Sequence, residues 1–139
     1  MRFEKSIFFD LVPHFKIEFS FGDFFLCKNF VISELHEGIH FDWDKILEVI
    51  EAIGTYYGED FEIAYISNRV ESYSIDPHLW HRFHKEFNFI IASATVVYND
   101  FGYINASIEK QFANISLKRC GSLVEALNWV KHLKEFNQN

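Results

Sequence analysis

The sequence predicts an α/β fold on a mixed β-sheet, an N-terminal antiparallel meander followed by parallel βα units, with about four helices. Three observations predict it. Apolar and polar residues alternate from Phe15 to Phe21, the two-residue period of a strand with one buried face. From Trp43 to Tyr57 the apolar spacing becomes helical. After that, β-type runs and capped helical stretches alternate, the order of βαβ units with right-handed crossovers.

Taken in order, the first dozen residues read as a loosely held lead-in ending at Pro13. Phe15, Ile17, Phe19 and Phe21 form the first strand, Gly22-Asp23 a turn, and Phe24 to Cys27 the start of a second strand. Lys28-Asn29 turns the chain into a third strand, Phe30 to His36, and Gly38 closes the meander. Trp43, Ile46, Leu47, Ile50, Ile53 and Tyr57 make a helical stripe, with Asp42 as N-cap and Gly58 as C-terminal cap.

Phe61 to Ser67 is a short strand, followed by a polar loop. Asp76-Pro77 is a helix start, with Leu79, Trp80 and Phe83 as its apolar stripe. Phe89 to Tyr98 is nearly continuous apolar sequence, as in a strand covered on both faces. A helix over 101–112 carries Ile104, Ile108 and Phe112 on one side, and residues 115–119 form the last strand. Ser122-Leu123-Val124-Glu125 is a capping box, opening a helix with Leu123, Ala126, Leu127, Val130 and Leu133 on one side.

No repeat, low-complexity tract or linker divides the 139 residues, so one domain over 1–139 is expected. The net charge of −7, with no Lys/Arg run, argues against nucleic acid or an anionic membrane surface as partner. No stretch has the length of a membrane span, and the N-terminus lacks the apolar core and cleavage site of a signal peptide. Cys27 and Cys120 read as two thiols rather than a disulfide, so the expected location is cytoplasmic. Seventeen Phe residues are many for so small a core; surplus rings would line an apolar pocket or a protein contact, with a homodimer the simplest case.

Phe30-Val31-Ile32-Ser33-Glu34 with Glu37-Gly38, then Phe41-Asp42-Trp43, Ala64-Tyr65-Ile66-Ser67-Asn68-Arg69 and Ser72-Tyr73-Ser74 resemble small bacterial proteins of the STAS/SpoIIAA-like family. Many of these come from Bacteroidetes and have no assigned biochemical role. The likeness runs from about Phe15 to Leu133 and implies a regulatory or protein-interaction module of SpoIIAA-like fold. In the family's anti-sigma-factor antagonists, a Ser opening the helix after a central strand is phosphorylated to switch partner binding. The matching place here is the loop from Ser67 to Ser74, although the usual Asp-Ser pair is absent and Asn68-Arg69 follows Ser67. A second branch of the fold is associated with lipid-like ligands, which makes an amphipathic small molecule the alternative partner.

The loop 67–74 is therefore the candidate ligand, partner or switch site, through Ser67, Asn68, Arg69, Ser72, Tyr73 and Ser74. It follows a strand's C-terminal end, where open α/β sheets bind ligands, and Arg69 suits a carboxylate or phosphate. The competing reading has the Ser and Asn side chains serving their own backbone and Arg69 paired to Glu71 or another acid. His78, His81 and His84 recur every three residues, a weak metal-site alternative because such steps drift around a helix. His36, His40 and Glu37 lie near Asp42 and Asp44, but no nucleophile-and-base motif accompanies them. Neither an enzyme activity nor a cofactor is expected.

Overall fold

A computed structural model describes residues 1–134 and 136. Six strands form one sheet in sequence order: β1 (Phe15–Phe19), β2 (Gly22–Leu26), β3 (Phe30–Leu35), β4 (Ile63–Asn68), β5 (Ile90–Val96) and β6 (Ser116–Cys120). The first three pair antiparallel; β3, β4, β5 and β6 are parallel. Among the described residues five α-helices accompany them: α1 (Phe8–Leu11), α2 (Trp43–Tyr57), α3 (Leu79–Glu86), α4 (Asp100–Phe112) and α5 (Leu123–Lys131). The four helices expected from periodicity are α2 to α5. No helix among the described residues is long and apolar enough to cross a membrane.

Each parallel crossover steps one strand in the same direction, so right-handed connections place α2, α3 and α4 on one face of the sheet. Beneath them lies a core that includes Phe24, Val31, Phe41, Val49, Ile53 and Ile63. After β6 the chain crosses to the other face, where Leu123, Ala126 and Val130 of α5 pack on Ile32, Ile66 and Ala94. Successive residues of β2 feed opposite cores, Phe25 one and Phe24 and Leu26 the other, as strand geometry requires.

The caps of α2 and α5 form where the sequence suggests, and the helix start expected at Asp76-Pro77 does not. Asp42 accepts the Lys45 N–H at 3.0 Å, and Gly58, at φ 82°, ends α2 in a conformation that an L side chain resists. Ser122 Oγ accepts the Glu125 N–H at 3.1 Å, while the Glu125 carboxylate reaches the Gly121 N–H at 3.3 Å, one residue beyond a standard capping box. Asp76 caps a tight turn over Pro77 and His78, and α3 starts only at Leu79.

Three expectations need correction. The hairpin turn is Ser20-Phe21, not Gly22-Asp23, and Gly22 opens β2. A Cβ there would sit 2.8 Å from the Glu34 carbonyl and the Leu35 Cα, so glycine serves a close strand approach. The lead-in is packed rather than loose. A 3₁₀ turn, Phe3–Lys5, precedes α1, and Phe3 is fully buried against Phe9, His14 and Phe25. Finally, the apolar side of α4 is not the side that packs on the core. Ala106 and Glu109 are buried, while Ile104 and Ile108 face solvent and Phe112 is half-buried.

Candidate functional site

The candidate loop begins inside the sheet. Ser67 and Asn68 are the last residues of β4, and strand alternation sends their side chains to opposite faces. Ser67 Oγ shares a 2.8 Å hydrogen bond with the Tyr73 hydroxyl and accepts from Arg69 Nε at 3.2 Å, on the α2–α4 side. On the same side Ser33 Oγ and the Tyr65 hydroxyl are 2.6 Å apart.

Arg69 points inward. Its Nη2 donates to Glu109 Oε1 at 2.7 Å, and its Nη1 lies 2.6 Å from Glu109 Oε2. Oε2 takes no aligned hydrogen bond and is balanced by that charge alone. Trp80 Nε1 adds a bond to Oε1 at 3.2 Å, and the guanidinium lies 5.2 Å from the Tyr73 ring centre. Burial works against the Arg69 charge, yet Tyr73 and Glu109 outweigh it and hold its pKa above the ordinary value. Burial also raises the Tyr65 and Tyr73 hydroxyls. An exogenous phosphate or carboxylate therefore finds Arg69 already satisfied.

Asn68 belongs to a second network on the α5 face. Its Nδ2 donates to Glu34 Oε2 at 2.7 Å and to the Met1 carbonyl at 2.9 Å, and its Oδ1 accepts from the Tyr98 hydroxyl at 2.6 Å. Glu34 Oε2 also accepts the Phe3 N–H at 2.7 Å. Arg2 completes the clasp through Glu71 Oε1 at 2.6 Å, while Glu71 Oε2 accepts the Glu37 N–H at 2.8 Å.

The remainder of the loop is sewn to the segment between β3 and α2. Gly38 N–H donates to the Ser72 carbonyl, Phe41 N–H to the Ser74 carbonyl, and Ser74 N–H to the Ile39 carbonyl. Of the six candidate side chains, only those of Ser72 and Ser74 lie on exposed residues. Ser74 Oγ is 2.7 Å from His40 Nδ1, a hydroxyl–imidazole pair. The flanking Phe41 and Ser74 N–H groups are spent in the bridge, so they cannot stabilise an oxyanion. Asp42 is engaged as a helix cap.

The three histidines of the weak metal alternative do not converge. His78 is exposed and bonds Asp76 at 3.0 Å, His81 is exposed, and His84 stacks on Trp80 with ring centres 5.6 Å apart. Burial, then His81, lowers the His84 pKa. Among the described residues, no group of three or more His, Cys, Asp or Glu is placed to hold a metal ion.

Between the sheet, α2 and α3 lies a cavity of about 70 Å³, walled by Ile46, Ile50, Phe83, Phe89 and neighbouring apolar side chains. Tyr65, Ser67, Tyr73 and the Arg69–Glu109 pair also line it. That space is about half the ~150 Å³ of an engineered cavity that takes benzene, and far below an ordinary drug-sized pocket. The sequence points to Arg69 but not to its partners Glu109 and Trp80. Glu109 lies off the apolar stripe of α4 and 40 residues downstream of Arg69, and no local pattern connects the two.

No protein-family model and no curated protein matches the chain in sequence. Among solved structures, it is similar to the crystal structure of an uncharacterised DUF3478-family protein with a SpoIIAA-like fold from Shewanella loihica PV-4. The TM-score is 0.53 at 12% identity, covering 86% of this chain and 93% of that one. The fold of the chain is thus SpoIIAA-like.

Proposed function

We propose that the protein is a non-enzymatic protein-interaction module that binds its partner through α4. The observation that carries this reading is the inverted amphipathicity of that helix. Phe101, Ile104 and Ile108 are 62%, 58% and 39% exposed, while Gly102, Ala106 and Glu109 turn inward. Burying a bulky aliphatic side chain is worth about 1.5–3 kcal/mol, so turning two isoleucines outward forgoes a large share of a domain's net stability. The spacing i, i+3, i+7 is the anchor pattern of a helix that seats in a groove, so the fitting partner is a protein presenting an apolar groove. The polar groups at the strand ends are meanwhile engaged with one another, which favours contact over chemistry.

The test is affinity capture from the source cell with wild-type protein and with Ile104→Glu and Phe101→Glu as baits. A partner held by the wild type and lost with both variants, which keep the native circular dichroism, supports the reading. A partner set unaffected by both removes it. The cavity favours a second reading, uptake of an amphipathic small molecule, but at about 70 Å³ it suits a guest of a few heavy atoms rather than a lipid chain.

A further inference from the structure

A separate surface lies at the open edge of the sheet. Among the described residues nothing pairs with the far side of β1. Its hydrogen-bonding parity follows from the next pair of strands. His36 N–H donates to the Phe21 carbonyl and Cys27 N–H to the Phe30 carbonyl, so odd-numbered residues of β2 bond towards β3. Even-numbered residues of β2 therefore bond towards β1, meeting Phe15, Ile17 and Phe19. The backbone groups of Lys16 and Glu18 are left pointing outward, an unpaired donor and acceptor at each.

The five residues of this edge, Phe-Lys-Ile-Glu-Phe, are self-complementary when read in opposite directions about Ile17. A second copy laid antiparallel would set Lys16 opposite Glu18, Phe15 opposite Phe19 and Ile17 opposite itself. In that register Lys16 and Glu18 form the hydrogen-bonded pairs, matching the outward parity. Lys16 already lies 3.2 Å from Glu18 and Glu4 and 4.0 Å from Asp23, so it has an acid surplus around it to share. The other face of β1 opens on a groove of about 850 Å³ floored by the strand and bordered by Glu48, Glu51, Ala52, Thr55 and Tyr56 of α2. Phe15 is 51% exposed there, stacked on Tyr56 with ring centres 5.2 Å apart.

From the parity, the palindromic charges and the open groove, we infer that β1 pairs with β1 of a second copy across a two-fold axis, joining the two sheets into one. The exposed Phe15 of each copy lies along the groove, and two Lys–Glu pairs fix the register. This interface is distinct from the α4 surface, and either can hold without the other.

The experiment combines sedimentation equilibrium with amide hydrogen exchange on the full chain. The expected result is a species of twice the 16.5 kDa chain mass, with the Lys16 and Glu18 amides protected alongside those of Ile17 and Phe19. Glu18→Lys sets like charges opposite each other twice and should weaken dimerisation about tenfold; Lys16→Glu/Glu18→Lys should restore it. A monomer at all concentrations overturns the inference. So does a dimer whose Lys16 and Glu18 amides exchange freely, since it pairs elsewhere. If those amides become protected only when a basic extended peptide is added, the edge takes a foreign strand and self-pairing is wrong. The exchange pattern is read on the wild type alone, so it decides the question even where a variant fails to fold.

Discussion

Arg69 and Glu109 are 40 residues apart in sequence, yet Arg69 Nη2 and Glu109 Oε1 are 2.7 Å apart in the interior, tying the end of β4 to α4. The carboxylate has almost no solvent contact, and Trp80 Nε1 adds a second donor to it. This pair also sets the rotation of α4: with Glu109 inward, the helical period carries Ile104 and Ile108 outward. Removing one partner leaves the other charge buried without compensation. Glu109→Ala should therefore cost about 3–5 kcal/mol in urea unfolding, whereas Arg69→Met with Glu109→Leu should recover much of that loss. Equal losses in the single and double variants would contradict this role for the pair.

Glu34 makes a different prediction because its carboxyl is buried without an adjacent partner charge as close as that of Glu109. Burial raises its pKa, partly offset by the Phe3 N–H, the Asn68 amide and the more distant Arg2 charge. A carboxyl raised in the folded state binds its proton more tightly there. Its stabilising contribution is complete below the ordinary value of 4.5 and is lost as pH rises through the folded pKa. Glu34→Gln keeps an acceptor for Phe3 and removes the buried charge. Its stability relative to wild type should rise with pH above about 4.5, as read by urea midpoints from acid to neutral pH. A difference that stays flat across that range would rule out Glu34 as the titrating group.

The same clasp makes the N-terminal segment part of the core. Phe3 is fully enclosed by rings from α1, His14 and β2, so Phe3→Ala should cost about 3–5 kcal/mol. It should also speed proteolysis within residues 1–13, while Met1→Ala leaves both near wild type, because Asn68 and Tyr98 hold the Met1 carbonyl rather than its side chain. Limited proteolysis with urea unfolding checks both.

These features also mark where sequence is informative. Strand period, the Asp42 and Ser122 caps and the Gly58 terminus are local, and each predicts its element because the physics acts within one turn or one strand. The α4 face is misleading because Ile104, Ile108 and Phe112 form a good local stripe. The winning term is long-range: the Arg69 charge, which draws Glu109 inward from 40 residues away. The capture of Phe3 by Glu34 likewise spans 31 residues and has no local signature. Arg69 stands out for its chemistry, but its direction depends on an acid that no spacing rule connects to it.

The two thiols give the last prediction. Cys27 and Cys120 are both buried and unpaired with each other, and burial pushes their pKa up to about 12 and about 11. The thiolate is the reactive form, so almost none is present at neutral pH, and access is closed as well. Native protein should react with a thiol reagent far more slowly than unfolded protein in urea, where both cysteines should label at the rate of a free thiol. At about pH 9 the native rate should still lie far below the unfolded one, because both thiols remain almost wholly protonated there. Labelling of either cysteine in the folded state at the unfolded rate would show that its surroundings open, and mass spectrometry of the labelled peptides would show which one.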